Sequence, residues 1–154
     1  MSECGNSEGL PAEATSQACI NLQVMRSSHY ILMAYDEAYR PFGVRATQMP
    51  VLGAVARRQP VTIREIADEL ESERSVMSRK LQVMEKSGWV KEDAETSGRE
   101  KTFVLTEEGK ALINKVLPAR LEVQQRLMKA LTKEEFDLLL SLCSKLKAAT
   151  EAAA

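Results

Sequence analysis

The sequence predicts a mostly α-helical chain that carries one small β-hairpin, an α+β arrangement in which helices dominate. Apolar residues recur at three- and four-residue spacing through most of its length, the pattern of amphipathic helices. Two capping boxes, Thr62-Ile-Arg-Glu65 and Thr132-Lys-Glu-Glu135, mark helix starts at which a threonine hydroxyl and a glutamate carboxylate satisfy orphan amides reciprocally. Two runs read as strands, Trp89-Val90-Lys91 and Thr102-Phe103-Val104-Leu105. The polar segment between them contains Thr96-Ser97-Gly98, which predicts a hairpin with Gly98-Arg99 at its tip.

Residues 1–14 hold Gly5, Gly9 and Pro11, lack periodicity and are expected to form a flexible tail. A long helix is expected from about Ser16 to Arg40, stopped by Pro41 and Gly43. Ile20, Val24, Ser27, Ile31, Ala34 and Ala38 mark one side of it, while Leu22, Met25, Leu32 and Tyr35 widen the apolar surface. A helix apolar on more than one side must bury more than one side. A second helix, from about Ala46 to Arg57, presents Met49, Val51, Leu52, Val55 and Ala56. Pro50 is tolerated in its first turn, where the missing N–H has no partner to lose. Gln59-Pro60 then breaks the chain.

Thr62 opens a short helix with Ile63, Ile66, Ala67 and Leu70 facing inward. Glu71-Ser72-Glu73 forms a tight turn, and Ser72 or Glu73 caps the next helix. That helix runs to about Lys86 with Met77, Leu81 and Met84 inside, and Gly88 ends it. After the hairpin, Thr106 caps a helix whose first turn holds Glu107 and Glu108, favourable at the positive end of the dipole. It reaches about Leu131 with Leu112, Val116, Val123 and Leu127 inward, and Pro118 is expected to kink it near Asn114. The last helix carries the stripe Phe136, Leu139, Leu142, Cys143 and Leu146, widened by Leu138 and Leu140.

With 154 residues, 44% hydrophobic and 28% charged, the chain is long enough to bury a core and ordinary for a globular protein. A formal net charge of −1 supplies no global attraction to a polyanion, so affinity for one must come from local arrangement. The three cysteines are widely spaced and suggest no disulfide framework. There is no apolar run near the roughly 20 residues of a membrane span. The start, MSECGNSEGLPAEA, lacks the basic and apolar regions of a signal peptide, so a cytoplasmic location is expected. The absence of a Gly-rich phosphate loop, of metal-ligand spacing and of a nucleophile paired with the single histidine argues against an enzyme. No cofactor or metal is expected.

With Met77, Leu81 and Met84 turned inward, the helix after the tight turn exposes Ser75, Val76, Ser78, Arg79 and Gln82 together. Small residues let such a helix approach a groove floor, while arginine and glutamine reach base edges, arginine preferentially at guanine and glutamine at adenine. The hydroxyls of Ser75 and Ser78, with the free amides of the helix N-terminus, suit phosphates. A buried helix, a short turn, a helix with a polar outer face and a hairpin, in that order, make a winged helix-turn-helix that lays its second helix in the major groove of DNA.

The run IREIADEL…SVMSRKLQVMEKSGWV…GREKTFVLTEEGKAL resembles the MarR family of bacterial transcription regulators. The likeness extends to YDEAYRPFGVRATQMPVL and covers nearly all of residues 20–146. The resemblance implies a homodimer in which residues 15–42 and 107–150 form a helical dimerisation region around a DNA-binding domain at 43–106. It implies a regulator, more commonly a repressor, that binds a pseudo-palindrome of double-stranded DNA and is released by a small-molecule or oxidant signal. Carried over by position, Arg79 takes the place of the recognition-helix arginine, Ser75 and Ser78 its small hydroxyl neighbours, and Arg99 the wing-tip arginine of the minor groove. Lys101 adds a phosphate contact. The chain departs from the family at Ser97, where a wing aspartate is usual, and at Glu92, Asp93 and Glu95, where basic residues are frequent.

Arg26, His29, Tyr30 and Met33 are candidates to line an effector crevice between the dimer helices and the winged module. Cys19, near the start of the first helix, is the candidate redox thiol, since a helix N-terminus favours a thiolate. Cys143, on an apolar stripe, reads as core, and Cys4 as incidental. Two alternatives remain open at the level of sequence. One is a winged-helix interaction dimer that does not bind DNA, which the acidic wing and neutral balance allow. The other is a thiol-based sensor using Cys19.

Overall fold

The computed structural model describes residues 19–94 and 100–152. Helix α1 spans Ile20–Tyr39 and passes into a single 3-10 turn at Arg40–Phe42. Helix α2 covers Met49–Arg58, strand β1 Val61–Thr62, helix α3 Ile63–Glu69 and helix α4 Arg74–Lys86. Strands β2 (Val90–Glu92) and β3 (Thr102–Leu105) precede the long helices α5 (Glu107–Lys129) and α6 (Lys133–Glu151).

The strands form a three-stranded antiparallel sheet of order β1-β3-β2, with Val61 opposite Phe103 and Val90 opposite Leu105. Strand β1 was not expected: two residues are too short for a period, and Thr62 also caps α3. The capping box is present, Thr62 Oγ1 accepting from the Glu65 amide and Glu65 Oε2 accepting from the Thr62 amide. Beyond β1, Gln59 Oε1 accepts the Leu105 amide at 2.9 Å and so continues the cover of β3.

Helix α2 starts at Met49, later than the expected Ala46. Asp36 on α1 takes the Ala46 amide at 2.6 Å and Gln48 Oε1 takes the Arg45 amide at 2.8 Å, so these N–H groups are held in a turn before Pro50 opens the helix. Glu73 is the N-cap of α4, but neither it nor Ser72 caps through its side chain. Helix α5 is continuous from Glu107 to Lys129 with Pro118 inside it.

The core lies between α2, α3, α4, the sheet and the first half of α5. Leu52, Ile66, Met77, Leu81 and Met84 are fully buried there, each burial contributing about 1.5–3 kcal/mol. At its corner, Gly88 takes a left-handed turn (φ 74°) and Thr106 ties two elements together. The Thr106 hydroxyl accepts from the Gly109 amide and donates to the Gly88 carbonyl. A Cβ at Gly109 would lie 2.0 Å from the Trp89 carbonyl oxygen, so only glycine lets α5 pass this close to the start of the hairpin.

Outside this core the chain is open. No residue of α6 is buried, and Leu138, Leu139, Leu140, Leu142 and Leu146 are all exposed. The same holds for Ile20, Val24, Met25 and Ile31 on α1 and for Leu117, Leu121 and Met128 on α5. The expected stripes exist as stripes, but nothing among the described residues covers them. Cys143, read as core, is exposed for this reason.

Candidate nucleic-acid interface

Helix α4 is held at three corners. Its inner line of Met77, Leu81 and Met84 sits in the core, Lys80 Nζ donates to the Thr47 carbonyl at 3.2 Å, and Arg74 pairs with Glu100 at 3.3 Å. Glu71, in the turn before it, adopts a left-handed conformation (φ 48°) and meets Lys147 near the end of α6. The opposite line of the helix faces outward. Ser75, Arg79 and Gln82 are exposed along it, and Arg79 Nε rests on the Ser75 carbonyl at 3.3 Å. Ser78 is half-buried at the edge of this face. Val76, expected on the outer face, is half-buried and packs against the core, because its position on the helix is a quarter turn from the Ser75–Arg79 line.

Helical spacing predicts this face as far as Gln82. The structure extends it: Val83, 50% exposed, and Lys86 continue the same surface one turn further. The signal was present in the sequence, since Val83 and Lys86 follow Arg79 at i+4 and i+7. An exposed valine beside arginine and glutamine has the chemistry to meet a thymine methyl.

The expected tip residue Arg99 lies outside the described residues. Lys101 does not stand free: its Nζ donates to Glu92 Oε2 at 2.6 Å across the hairpin, and this bond raises the lysine pKa. The acidic wing strand thus neutralises a cation assigned to phosphate.

A cleft of about 400 Å³ opens between α1, α2 and α5. Ile31, Leu32, Met49 and Pro50 make apolar walls, and Tyr35, Tyr39, Arg57 and Arg120 its polar part. Tyr35 donates to Gln124 at 2.8 Å, and burial raises the Tyr39 pKa against the influence of Arg120. The expected effector residues do not line it. Met33 borders a second cleft with Asp36, Arg40 and Arg45, while Arg26, His29 and Tyr30 are exposed, the last two in edge-on ring contact at 5.8 Å. The reason is helical phase: Ile31, Tyr35 and Tyr39 share the cleft-facing side, and the four expected residues lie about half a turn away. Cys19 is exposed at the N-cap of α1. Among the described residues no helix is long and apolar enough to cross a membrane.

Residues 42–100 match the profile of the MarR family. An HTH-type transcriptional regulator of Bacillus cereus is 30% identical over 134 residues, covering 85% of this chain and 88% of that one. YwoH of Bacillus subtilis (strain 168), described as a regulator of the same type, is 28% identical over 106 residues, 69% of this chain and 77% of its own. Among solved structures, the M. tuberculosis transcriptional regulator MosR in complex with DNA is 28% identical with a TM-score of 0.76, over 88% of this chain and 98% of MosR. The S. aureus MepR–DNA complex shares the fold at 19% identity and a TM-score of 0.76, over 87% and 98%. A recognition-type helix braced on a sealed core, a short wing and long flanking helices therefore go with sequence kinship, and the chain belongs to the MarR family of winged helix-turn-helix transcription regulators.

Proposed function

We propose that the protein is a homodimeric, sequence-specific repressor that binds a pseudo-palindrome of double-stranded DNA through α4 and lets go when a small molecule fills the cleft beside Arg57 and Arg120. The observation that carries the DNA reading is the division of α4 into a buried line and an outward line of Ser75, Arg79, Gln82 and Lys86. MosR, the solved relative at 28% identity, is described in complex with DNA. The uncovered leucines of α6, with the apolar sides of α1 and α5, support a second copy as their cover, since monomers rarely leave so large an apolar surface in water. Residues 15–42 and 107–150 are then the dimerisation region and residues 43–106 the DNA-binding domain. Two-fold symmetry sets the two α4 helices about 34 Å apart, one turn of DNA. The repressor reading rests on repression being the commoner behaviour in the family, a dimer on a promoter excluding polymerase.

The cleft supports the release step because it lies where α1 and α5 meet α2. CouR from Rhodococcus jostii RHA1, a structural neighbour at 20% identity, is described bound to p-coumaroyl-CoA. For this chain, the mixture of apolar walls and guanidinium groups favours a ligand with a flat apolar body and an anionic group.

A random-sequence duplex selection with the full chain, followed by binding at several salt concentrations, tests the DNA reading. The expected outcome is a pseudo-palindrome bound more weakly as salt rises, with Arg79→Ala losing preference at its base pair by about 1–3 kcal/mol. A selection that returns no salt-sensitive sequence preference sinks the reading.

A further inference from the structure

Arg57 belongs to two structures at once. Its side chain lines the cleft between α1, α2 and α5, where Arg120 forms no ion pair among the described residues. At the same time Arg57 Nη2 donates to Glu69 Oε1 on α3. A second arginine lies against Glu69: Arg58 Nε is 3.0 Å from its other oxygen, an ion pair without hydrogen-bond geometry. One carboxylate, its side chain only 18% exposed, thus fastens the end of α2 to the end of α3, just ahead of the turn into α4. Gly53, one turn earlier on α2, also lines the cleft, and a Cβ there would stand 3.1 Å from Arg57 Nη1. The guanidinium therefore lies over the bare Gly53 turn, with Nη1 nearest that turn and Nη2 on Glu69.

We infer that Arg57 is the switch of this site: the anionic group of a ligand in the cleft draws the Arg57 guanidinium away from Glu69 and so loosens the clamp between α2 and the helix pair α3–α4. The inference rests on the cleft being the effector site. A guanidinium binds a carboxylate or sulfonate best through two parallel N–H donors, and the ligand and Glu69 draw on the same set. Glu69 is then left half-buried with Arg58 alone, which weakens the hold on α3 without abolishing it. Linkage makes the effect reciprocal: whatever the ligand does to the clamp, the clamp does to the ligand. A neutral ligand of the same shape has no differential interaction with Arg57 and shifts nothing through it.

Two dyes that share one aromatic body separate these effects. 1-Anilinonaphthalene-8-sulfonate carries the anion, and N-phenyl-1-naphthylamine lacks it. Binding of each to the full chain is measured by fluorescence, together with amide hydrogen exchange over α3. Glu69→Gln, which keeps the shape of the side chain and removes its charge, is expected to tighten the sulfonate about fivefold or more and to leave the neutral dye unchanged. In the wild type the sulfonate is expected to speed exchange in α3, and the neutral dye is not. Arg57→Gln is expected to remove the sulfonate's advantage over the neutral dye. Equal sulfonate affinity in wild type and Glu69→Gln, or α3 exchange that ignores the sulfonate, overturns the switch while the cleft stands. If Gly53→Val, which fills the cleft, leaves both dyes bound, the cleft reading fails and the switch falls with it.

Discussion

Leu142→Asp is expected to abolish the dimer while leaving the winged module folded. Leu142 is 46% exposed in the chain and sits mid-stripe on α6, a helix with no buried residue. Fully burying a leucine contributes about 1.5–3 kcal/mol, so covering what remains exposed contributes about 1 kcal/mol per protomer. Two-fold symmetry doubles every substitution, giving about 2 kcal/mol for the pair of leucines. An aspartate forfeits that and adds two carboxylates to an apolar contact, each costing several kcal/mol when unpaired. The dimer dissociation constant should then rise by at least about three orders of magnitude. Sedimentation velocity over a dilution series reads this directly. Leu142→Met conserves volume and is expected to stay dimeric. Ser141→Asp, exposed on the same helix but off the stripe, is expected to do the same. A Leu142→Asp protein that sediments as the wild type does, or a wild type that is monomeric throughout, refutes the assignment of this surface to self-association.

Glu92→Gln removes the acid that holds Lys101, so the salt dependence of operator binding should steepen by about one unit of log–log slope for each lysine released to a phosphate; an unchanged slope means Lys101 stays off the DNA. Thr106→Val removes both the acceptor of the Gly109 amide and the donor to the Gly88 carbonyl, and calorimetry should show a loss of about 1–2 kcal/mol, or several degrees in Tm. The Arg57 bond holds the Glu69 pKa below the ordinary glutamate range, and the Thr62 hydrogen bonds do the same for Glu65. A depressed carboxylate stabilises the fold above its unfolded value of about 4.3 and ceases to as pH falls through the lower folded value. Acid titration of stability should accordingly show a loss below about pH 4.3 that Glu69→Gln makes shallower.

What could be read in the sequence is what local chemistry decides. Both capping boxes, the glycine after α4, the inner line Met77–Leu81–Met84 and the outer line through Ser75, Arg79 and Gln82 follow from helical spacing, and the structure carries all of them. What escaped depended on partners distant in sequence. Strand β1 exists because Val61 and Thr62 meet Phe103 and Thr102, about 40 residues away, and no two-residue pattern reports that. The cleft beside Arg57 escaped for the same reason: its walls come from α1, α2 and α5, and which side of α1 faces them is set by packing. The start of α2 was misjudged because Asp36, on another helix, holds the Ala46 amide. The pairing of Lys101 with Glu92 escaped likewise, since the register of β2 on β3 brings the two together.

The charge distribution decides how a chain with a net charge of −1 can face a polyanion. Of the cations near the interface, Arg74 is held by Glu100, Lys101 by Glu92 and Lys80 by a backbone carbonyl. Arg79 and Lys86 have no ion pair among the described residues, and both belong to the outer line of α4. Beyond about 8–10 Å salt screens exposed charges, so only groups close to this surface weigh on it. These two cations therefore share a line with Ser75 and Gln82, groups of the kind that meet base edges and phosphates. The wing is different: Lys101 must give up the Glu92 carboxylate before it can take a phosphate. That exchange offsets much of the Coulomb gain at the wing. A movement of the α2–α3–α4 unit that tilts α4 therefore carries Arg79 and Lys86 together with Ser75 and Gln82.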